Sequence, residues 1–274
     1  MDQAGYSGRA GGASGISGGS EKKEGSRLNT RGITGKRRIK KHYEGEVTIM
    51  RIILVRHGDP NYEKDCLTPL GQLQAKAAAE RLMEEGIEEI YSSPMGRARQ
   101  TAQAFSELSG IQPVKILDFM HEISWGSTDE NPLYRGGHPW DTVDAMARQN
   151  QDLTDRGWRE NPYFKTNMAT LENDRIAPKT DEWLSSLGYE REGFYYRCRR
   201  KDDSQHTVVL FCHGGSSTAM LAQILNLPFP YLCAAVHMNH TALTIIRLDA
   251  RPGSLSAPVL ELVSDDRHIR GITV

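Results

Sequence analysis

Two largely apolar runs each stop at a histidine, and this repetition limits what the chain can fold into more than any other feature. Met50-Arg51-Ile52-Ile53-Leu54-Val55 runs into Arg56-His57-Gly58, and Thr207-Val208-Val209-Leu210-Phe211-Cys212 runs into His213-Gly214-Gly215. Short apolar, β-branched runs bounded by glycine read as buried strands. Open α/β sheets build their sites where such strands end and loops begin. The sequence therefore predicts two imidazoles at two strand ends of one sheet.

The segments between and around these runs alternate strand and helix signals, the pattern of an α/β domain. Thr68-Pro69 starts a helix, with Thr68 as N-cap and Pro69 at the first helical position, running to Met83 and closed by Gly86. A short strand over 87–91, a helix over 96–108 and a strand over 113–117 follow. Residues 242–248 and 258–263 predict an antiparallel pair at the sheet edge. Residues 125–201 are less regular, hold all four tryptophans and read as a largely helical insertion over one end of the sheet. The predicted fold is a three-layer α/β/α sandwich with a mostly parallel sheet and a helical insertion over the active site. Residues 1–49 read as a flexible, Gly/Ser-rich basic arm, and residues 50–274 as the catalytic domain.

A formal net charge of -1 argues against a whole-protein electrostatic role on nucleic acid or membrane, so any anion site must be local. The cluster Lys36-Arg37-Arg38-Ile39-Lys40-Lys41 reads as a solvated charge run. The cysteines Cys66, Cys198, Cys212 and Cys233 show no paired spacing, which suits a reducing compartment and predicts a cytoplasmic location. No apolar stretch approaches the ~20 residues that span a bilayer.

Five residues near predicted strand ends form a candidate phosphate pocket: Arg56, His57, Arg97, Glu122 and His213. Phosphoryl transfer needs cations on the equatorial oxygens while the attacking and leaving groups stay in line. Arg56 and Arg97 offer forked, permanently charged donors, and His213 adds another. Arg97 also falls in the first turn of its helix, where free N–H groups favour an anion. His57 is the expected nucleophile, its second ring nitrogen held by a nearby carbonyl. Glu122 is the expected acid for the leaving oxygen and later base for water.

Together these motifs resemble the histidine phosphatase superfamily, in its phosphoglycerate-mutase-like branch with the RHG signature. The resemblance spans about residues 50–265 and is carried by Leu54-Val55-Arg56-His57-Gly58, Leu67-Thr68-Pro69-Leu70-Gly71-Gln72-Leu73-Gln74-Ala75, Ser92-Ser93-Pro94-Met95-Gly96-Arg97-Ala98-Arg99-Gln100-Thr101-Ala102 and Cys212-His213-Gly214-Gly215. It implies a phosphohistidine on His57, a phosphate clamp of Arg56, Arg97 and His213, Glu122 as proton donor, and neither metal nor organic cofactor. Family members often carry Thr and Asn after RHG. Here Asp59-Pro60-Asn61-Tyr62 follows, and Asn61 is the candidate substitute phosphate contact.

Other readings of individual residues are plainer. Cys212 faces away from His213 and packs in the core rather than acting as a thiol nucleophile. Cys233, His237 and His240 have zinc-like spacing but no evident fourth ligand. Most of Trp125, Tyr134, Trp140, Tyr163, Phe164 and Trp183 should form the core of the insertion. The run Arg197-Cys198-Arg199-Arg200-Lys201 reads as a solvated strand edge. The expected activity is metal-independent hydrolysis of a small-molecule phosphomonoester by a phosphomonoesterase of the histidine acid phosphatase type. The alternatives are a phosphoglycerate-type mutase using the same pocket and a non-catalytic module that binds phosphorylated ligands. Oligomeric state is left open, a homodimer included.

Overall fold

The computed structural model describes residues 48–273. The expected flexible arm and its basic cluster lie outside the described residues, except for Thr48 and Ile49, the latter being the first residue of β1. The sheet strands are β1 (Ile49–Arg56), β4 (Glu89–Ser92), β5 (Val114–Ile116), β8 (His206–Cys212), β9 (Leu243–Asp249) and β11 (Val259–Asp265). Two short pairs, β2 (Pro60–Asn61) with β3 (Cys66–Leu67) and β6 (Tyr189–Glu192) with β7 (Tyr195–Cys198), lie outside it, and β10 (Leu255–Ser256) joins β7. The helices are α1 (Pro69–Leu82), α2 (Gly96–Ser109), α3 (Pro139–Arg148), α4 (Met168–Ser186), α5 (Gly214–Leu225) and α6 (Phe229–Ala235).

The sheet order is β11-β9-β1-β8-β4-β5. β1, β8, β4 and β5 run parallel, and β9 pairs antiparallel with both β1 and β11, so the expected edge pair is present. Strand alternation sends side chains to two cores. Ile53, Val55, Val209 and Phe211 pack with Ala79, Leu82, Ala102 and Phe105 of α1 and α2. Ile52, Leu54, Val208, Leu210 and Cys212 pack on the other face with helices α4, α5 and α6. A sheet buried on both faces explains why β1 and β8 read as continuous apolar runs.

Local signals set the helix ends. Thr68 Oγ1 accepts the Gly71 N–H at 3.1 Å, capping α1 behind Pro69. α1 stops at Met83, before Gly86, whose left-handed φ of 66° belongs to the turn beyond. Gly110 (φ 76°) ends α2 in the left-handed conformation that glycine adopts without strain.

The insertion over 125–201 departs from its largely helical prediction. It holds α3 and α4, but ends in the β6–β7 hairpin, which pairs Tyr189 with Cys198 and Glu192 with Tyr195. The turn at Gly193 (φ 63°) allows that reversal. Trp158, Phe164, Trp183, Tyr189 and Tyr196 are buried there as a core. The basic run is neutralised locally, Arg199 by Glu190, Arg197 by Glu192 and Arg200 by Asp202. Among the described residues no single helix is long and apolar enough to cross a membrane; α5 and α6 pass jointly by composition but are bent by 118°.

Candidate active site

Strand register brings the two histidines together. In the parallel β1–β8 pair Arg56 faces Cys212, so His57 and His213 leave the sheet side by side, with the His57 N–H donating to Cys212 O at 2.9 Å. β4 runs alongside, Ser92 facing Phe211, and delivers Ser93 to the same level. The two imidazole centroids are 5.0 Å apart.

Gly58 permits the turn that follows, because a Cβ there would lie 2.6 Å from Gly71 O. The sequence motifs lock this loop. Gly58 N–H donates to Thr101 Oγ1, Asp59 N–H to Gln74 Oε1 and Leu67 N–H to Gln100 Oε1, at 3.1, 2.7 and 2.7 Å. The helical motif residues are therefore loop anchors, and Arg97 rides on the helix that supplies two of them.

His57 is 1% exposed. Burial above all, then the charges of Arg56 and Arg97, hold its pKa down to about 3 although the Gly58 carbonyl pulls the other way. The ring is neutral at pH 7. Its Nδ1 lies 2.7 Å from Gly58 O, which can only accept, so the proton sits on Nδ1 and the Nε2 lone pair is free of it. Arg97 Nε donates to that lone pair at 3.3 Å.

His213 is fully buried, and burial holds its pKa well below the ordinary histidine value, with the facing His57 and the two arginines adding to the effect. Its Nε2 is 2.7 Å from Ser93 Oγ, while its Nδ1 and the Nε of Arg56 have no hydrogen-bond partner. Arg56 Nη1 is tethered to Met238 O at 2.8 Å. Buried donors left without partners are costly unless something else fills the site. Both belong to residues next to His57, Arg56 in the chain and His213 with its ring centroid 5.0 Å away.

Glu122 Oε1 accepts the N–H groups of Ile123 and Ser216, each at 3.0 Å, the latter from the first turn of α5. Gly215 allows this approach, since a Cβ there would come within 2.7 Å of Glu122 Oε1. Burial pushes the Glu122 pKa up, against the two N–H bonds and the arginines, and the carboxyl keeps its proton to a higher pH than an ordinary glutamate. With Oε1 committed to two N–H groups, Oε2 carries that proton.

Arg56, Glu122 and Gly214 line one wall of a cavity of about 320 Å³, completed by Tyr62, Trp125, His138, Trp140, His237, Met238 and Asn239. Arg56, His57, Arg97, Glu122 and His213 are thus gathered as the sequence predicts. Asn61 Oδ1 accepts the Lys64 N–H at 3.1 Å and closes the β2–β3 turn, which leaves the amide Nδ2, the atom that could donate to phosphate, outside that bond. Cys212 is fully buried, with burial pushing its thiol up to about 12. Cys233 is buried in α6, and no cluster of three or more metal-ligating side chains occurs among the described residues.

Asp65 escaped the sequence reading, and His240 entered it only through a zinc-like spacing and not as a neighbour of His57. Asp65 Oδ1 pairs with Arg97 Nη1 at 2.6 Å, and its Oδ2 accepts the Gly96 N–H at 2.6 Å. His240 lies with its ring centroid 5.7 Å from His57 and its Nδ1 3.7 Å from Asp59 Oδ1. It precedes β9 rather than following a strand. The signal was available: β9 runs antiparallel to β1, so the start of β9 lies beside the end of β1.

Residues 52–258 match the profile of the histidine phosphatase superfamily (branch 1). The chain is 25% identical over 215 residues to the "Putative phosphoserine phosphatase 2" of Hydrogenobacter thermophilus, covering 75% of this chain and 93% of that protein. It is 23% identical over 230 residues to the "Probable phosphoglycerate mutase GpmB" of Yersinia enterocolitica, covering 81% and 95%. Its fold is similar to that of a mycobacterial glucosyl-3-phosphoglycerate phosphatase in complex with inorganic phosphate (TM-score 0.52, 25% identity, 80% of this chain and 98% of that one). With that profile matched across the sheet and both histidine motifs, the chain belongs to the histidine phosphatase superfamily, whose members similar to it include phosphatases and phosphoglycerate-mutase-like proteins.

Proposed function

We propose that the protein hydrolyses small-molecule phosphomonoesters without a metal ion, through a phosphohistidine on His57. The observation that carries this reading is the pair of buried, unpartnered donors, Arg56 Nε and His213 Nδ1, beside the unprotonated Nε2 of His57. They supply, with Arg97, the positive field that a phosphoryl dianion requires.

In the first step His57 Nε2 attacks phosphorus, the N–P bond forms and the P–O bond to the leaving alcohol breaks. Glu122 Oε2 gives its proton to the departing oxygen and becomes a carboxylate. Water then attacks phosphorus, its proton passes to Glu122, the N–P bond breaks and inorganic phosphate leaves. His57 and Glu122 return to their starting states. Arg97 must give up its hydrogen bond to the His57 lone pair and turn that donor to a phosphoryl oxygen.

A mutase needs a second set of anion contacts to hold an acidic substrate while the phosphoryl group is returned. Among the described residues lining the cavity, Arg56 is the sole permanent cation, which favours hydrolysis. The four free cysteines support a reducing, cytoplasmic setting.

The test is phosphate release from p-nitrophenyl phosphate in EDTA, with rapid-quench labelling of the protein by a ³²P-phosphomonoester. Chelator-resistant turnover and an acid-labile, base-stable label, both lost in His57→Ala, are expected. Turnover that EDTA abolishes, or that His57→Ala retains, would overturn the reading.

A further inference from the structure

Resting on the phosphatase reading, we infer that the cavity beside the phosphate clamp accepts a flat, uncharged aromatic ring as the leaving group. The preferred substrates are then aromatic-ring phosphate monoesters rather than phosphorylated carboxylic acids.

The aromatic wall begins at the clamp itself. A Cβ added to Gly214 would sit 3.9 Å from both the Arg56 guanidinium carbon and Trp140 Cη2. A phosphate held by Arg56 therefore has an indole as the next surface its ester group meets. From Trp140 the wall is continuous: His138 lies 5.4 Å from Trp140 and 5.0 Å from Trp125, edge-on to the latter at 89°. Trp125 is 42% exposed and Tyr62 67% exposed, while the tryptophans that serve only the core, Trp158 and Trp183, are 4% and 5% exposed. Large aromatic side chains left half in water around a concave site are surfaces for a ligand.

Charge points the same way. A carboxylate on the leaving group needs a cation of its own, and among the described lining residues Arg56 alone is permanently charged and is taken by the phosphoryl group. Behind the wall stands an acid, Asp141, 3.6 Å from His138 Nδ1. The nearby Arg135 already pairs with Asp141 at 3.6 Å. A carboxylated leaving group would meet ring faces, whose quadrupoles are negative, and no uncommitted arginine among these residues. A neutral ring would stack.

The test is kcat/KM of the full chain for benzyl phosphate, n-propyl phosphate, O-phospho-L-serine and 3-phosphoglycerate. All four leave as aliphatic alcohols, so an acidic phenol does not bias the comparison. Benzyl phosphate should exceed each of the others by about tenfold, the scale of one good aromatic contact. Trp125→Ala and Trp140→Leu should each narrow the benzyl-to-propyl ratio by about threefold or more. Phosphoserine or 3-phosphoglycerate turned over as well as benzyl phosphate, or a ratio unmoved in both variants, would overturn the inference and leave the phosphatase reading standing. No release from any ester would overturn both.

Discussion

Ser93 Oγ accepts the Met95 N–H at 3.2 Å and lies 2.7 Å from His213 Nε2. When the serine gives its hydroxyl hydrogen to Nε2, the His213 proton sits on Nδ1, the tautomer that the phosphatase reading requires. On that reading the unpartnered Nδ1–H is the group offered to phosphate. Ser93→Ala removes the constraint on the tautomer, and kcat/KM should fall by about tenfold, the lower end of what an orienting partner contributes. Steady-state kinetics checks this, with circular dichroism showing that the fold is kept.

The pH profile follows from His57 and Glu122. His57 is neutral above about pH 3, so loss of the nucleophile limits turnover only in strong acid. Glu122 is raised from its ordinary value of 4.5, so the acid form persists above that value and is lost as pH rises through the raised one. The expected kcat/KM profile has an acid-side optimum and a falling alkaline limb. In Glu122→Gln the rate with an aliphatic ester should drop by about a hundredfold or more, and the alkaline limb due to this carboxyl should vanish.

Gly215→Ala is expected to harm activity more than folding. The new Cβ would lie 2.3 Å from Ile123 Cγ1 and 2.7 Å from Glu122 Oε1. Relief requires moving Glu122 off the Ser216 N–H, which misplaces the acid. Overpacking of this kind costs about 1–3 kcal/mol of stability, and a displacement of about 1 Å costs on the order of a hundredfold in rate. Urea denaturation and kcat measured on the same preparation separate the two effects.

Far from the site, Arg51 bonds Glu85 at 2.7 Å and Glu261 at 2.9 Å, tying the turn after α1 to the edge strand β11. Burial pushes the Glu85 carboxyl up, but the bonds from Arg51 and Arg81 outweigh it and the net shift is downward. The stability this adds is present above the unfolded carboxyl value and is lost as pH falls through the lowered one. Arg51→Ala leaves Glu85 with Arg81 as its one remaining arginine and should cost about 2 kcal/mol near neutral pH, with a smaller loss below pH 4. Denaturant midpoints at the two pH values check the size and the sign.

The sheet, its first two helices and the meeting of Arg56, Arg97 and His213 at one end of the sheet were legible because each rests on a local rule. Doubly buried strands read as apolar runs, Thr68-Pro69 announces a helix, and histidines directly after strands mark a site. The β6–β7 hairpin was not legible, since Tyr189–Glu192 and Tyr195–Cys198 alternate too briefly to stand out among tryptophans and charged residues. Asn61 was chosen by position in a motif, and the bond its oxygen accepts from the Lys64 N–H of its own turn was not legible in the sequence.

By itself the sequence determined the fold class and which side chains could bear the chemistry, because periodicity, caps and motif spacing act within a few residues of chain. Only the tertiary structure decided how those groups are charged and what stands beside them. The burial that keeps His57 neutral and raises the Glu122 pKa, the Asp65 partner of Arg97, and the Trp125–His138–Trp140 wall all arise from segments far apart in sequence. Desolvation and cross-chain contact are properties of the packed molecule, and no local pattern encodes them.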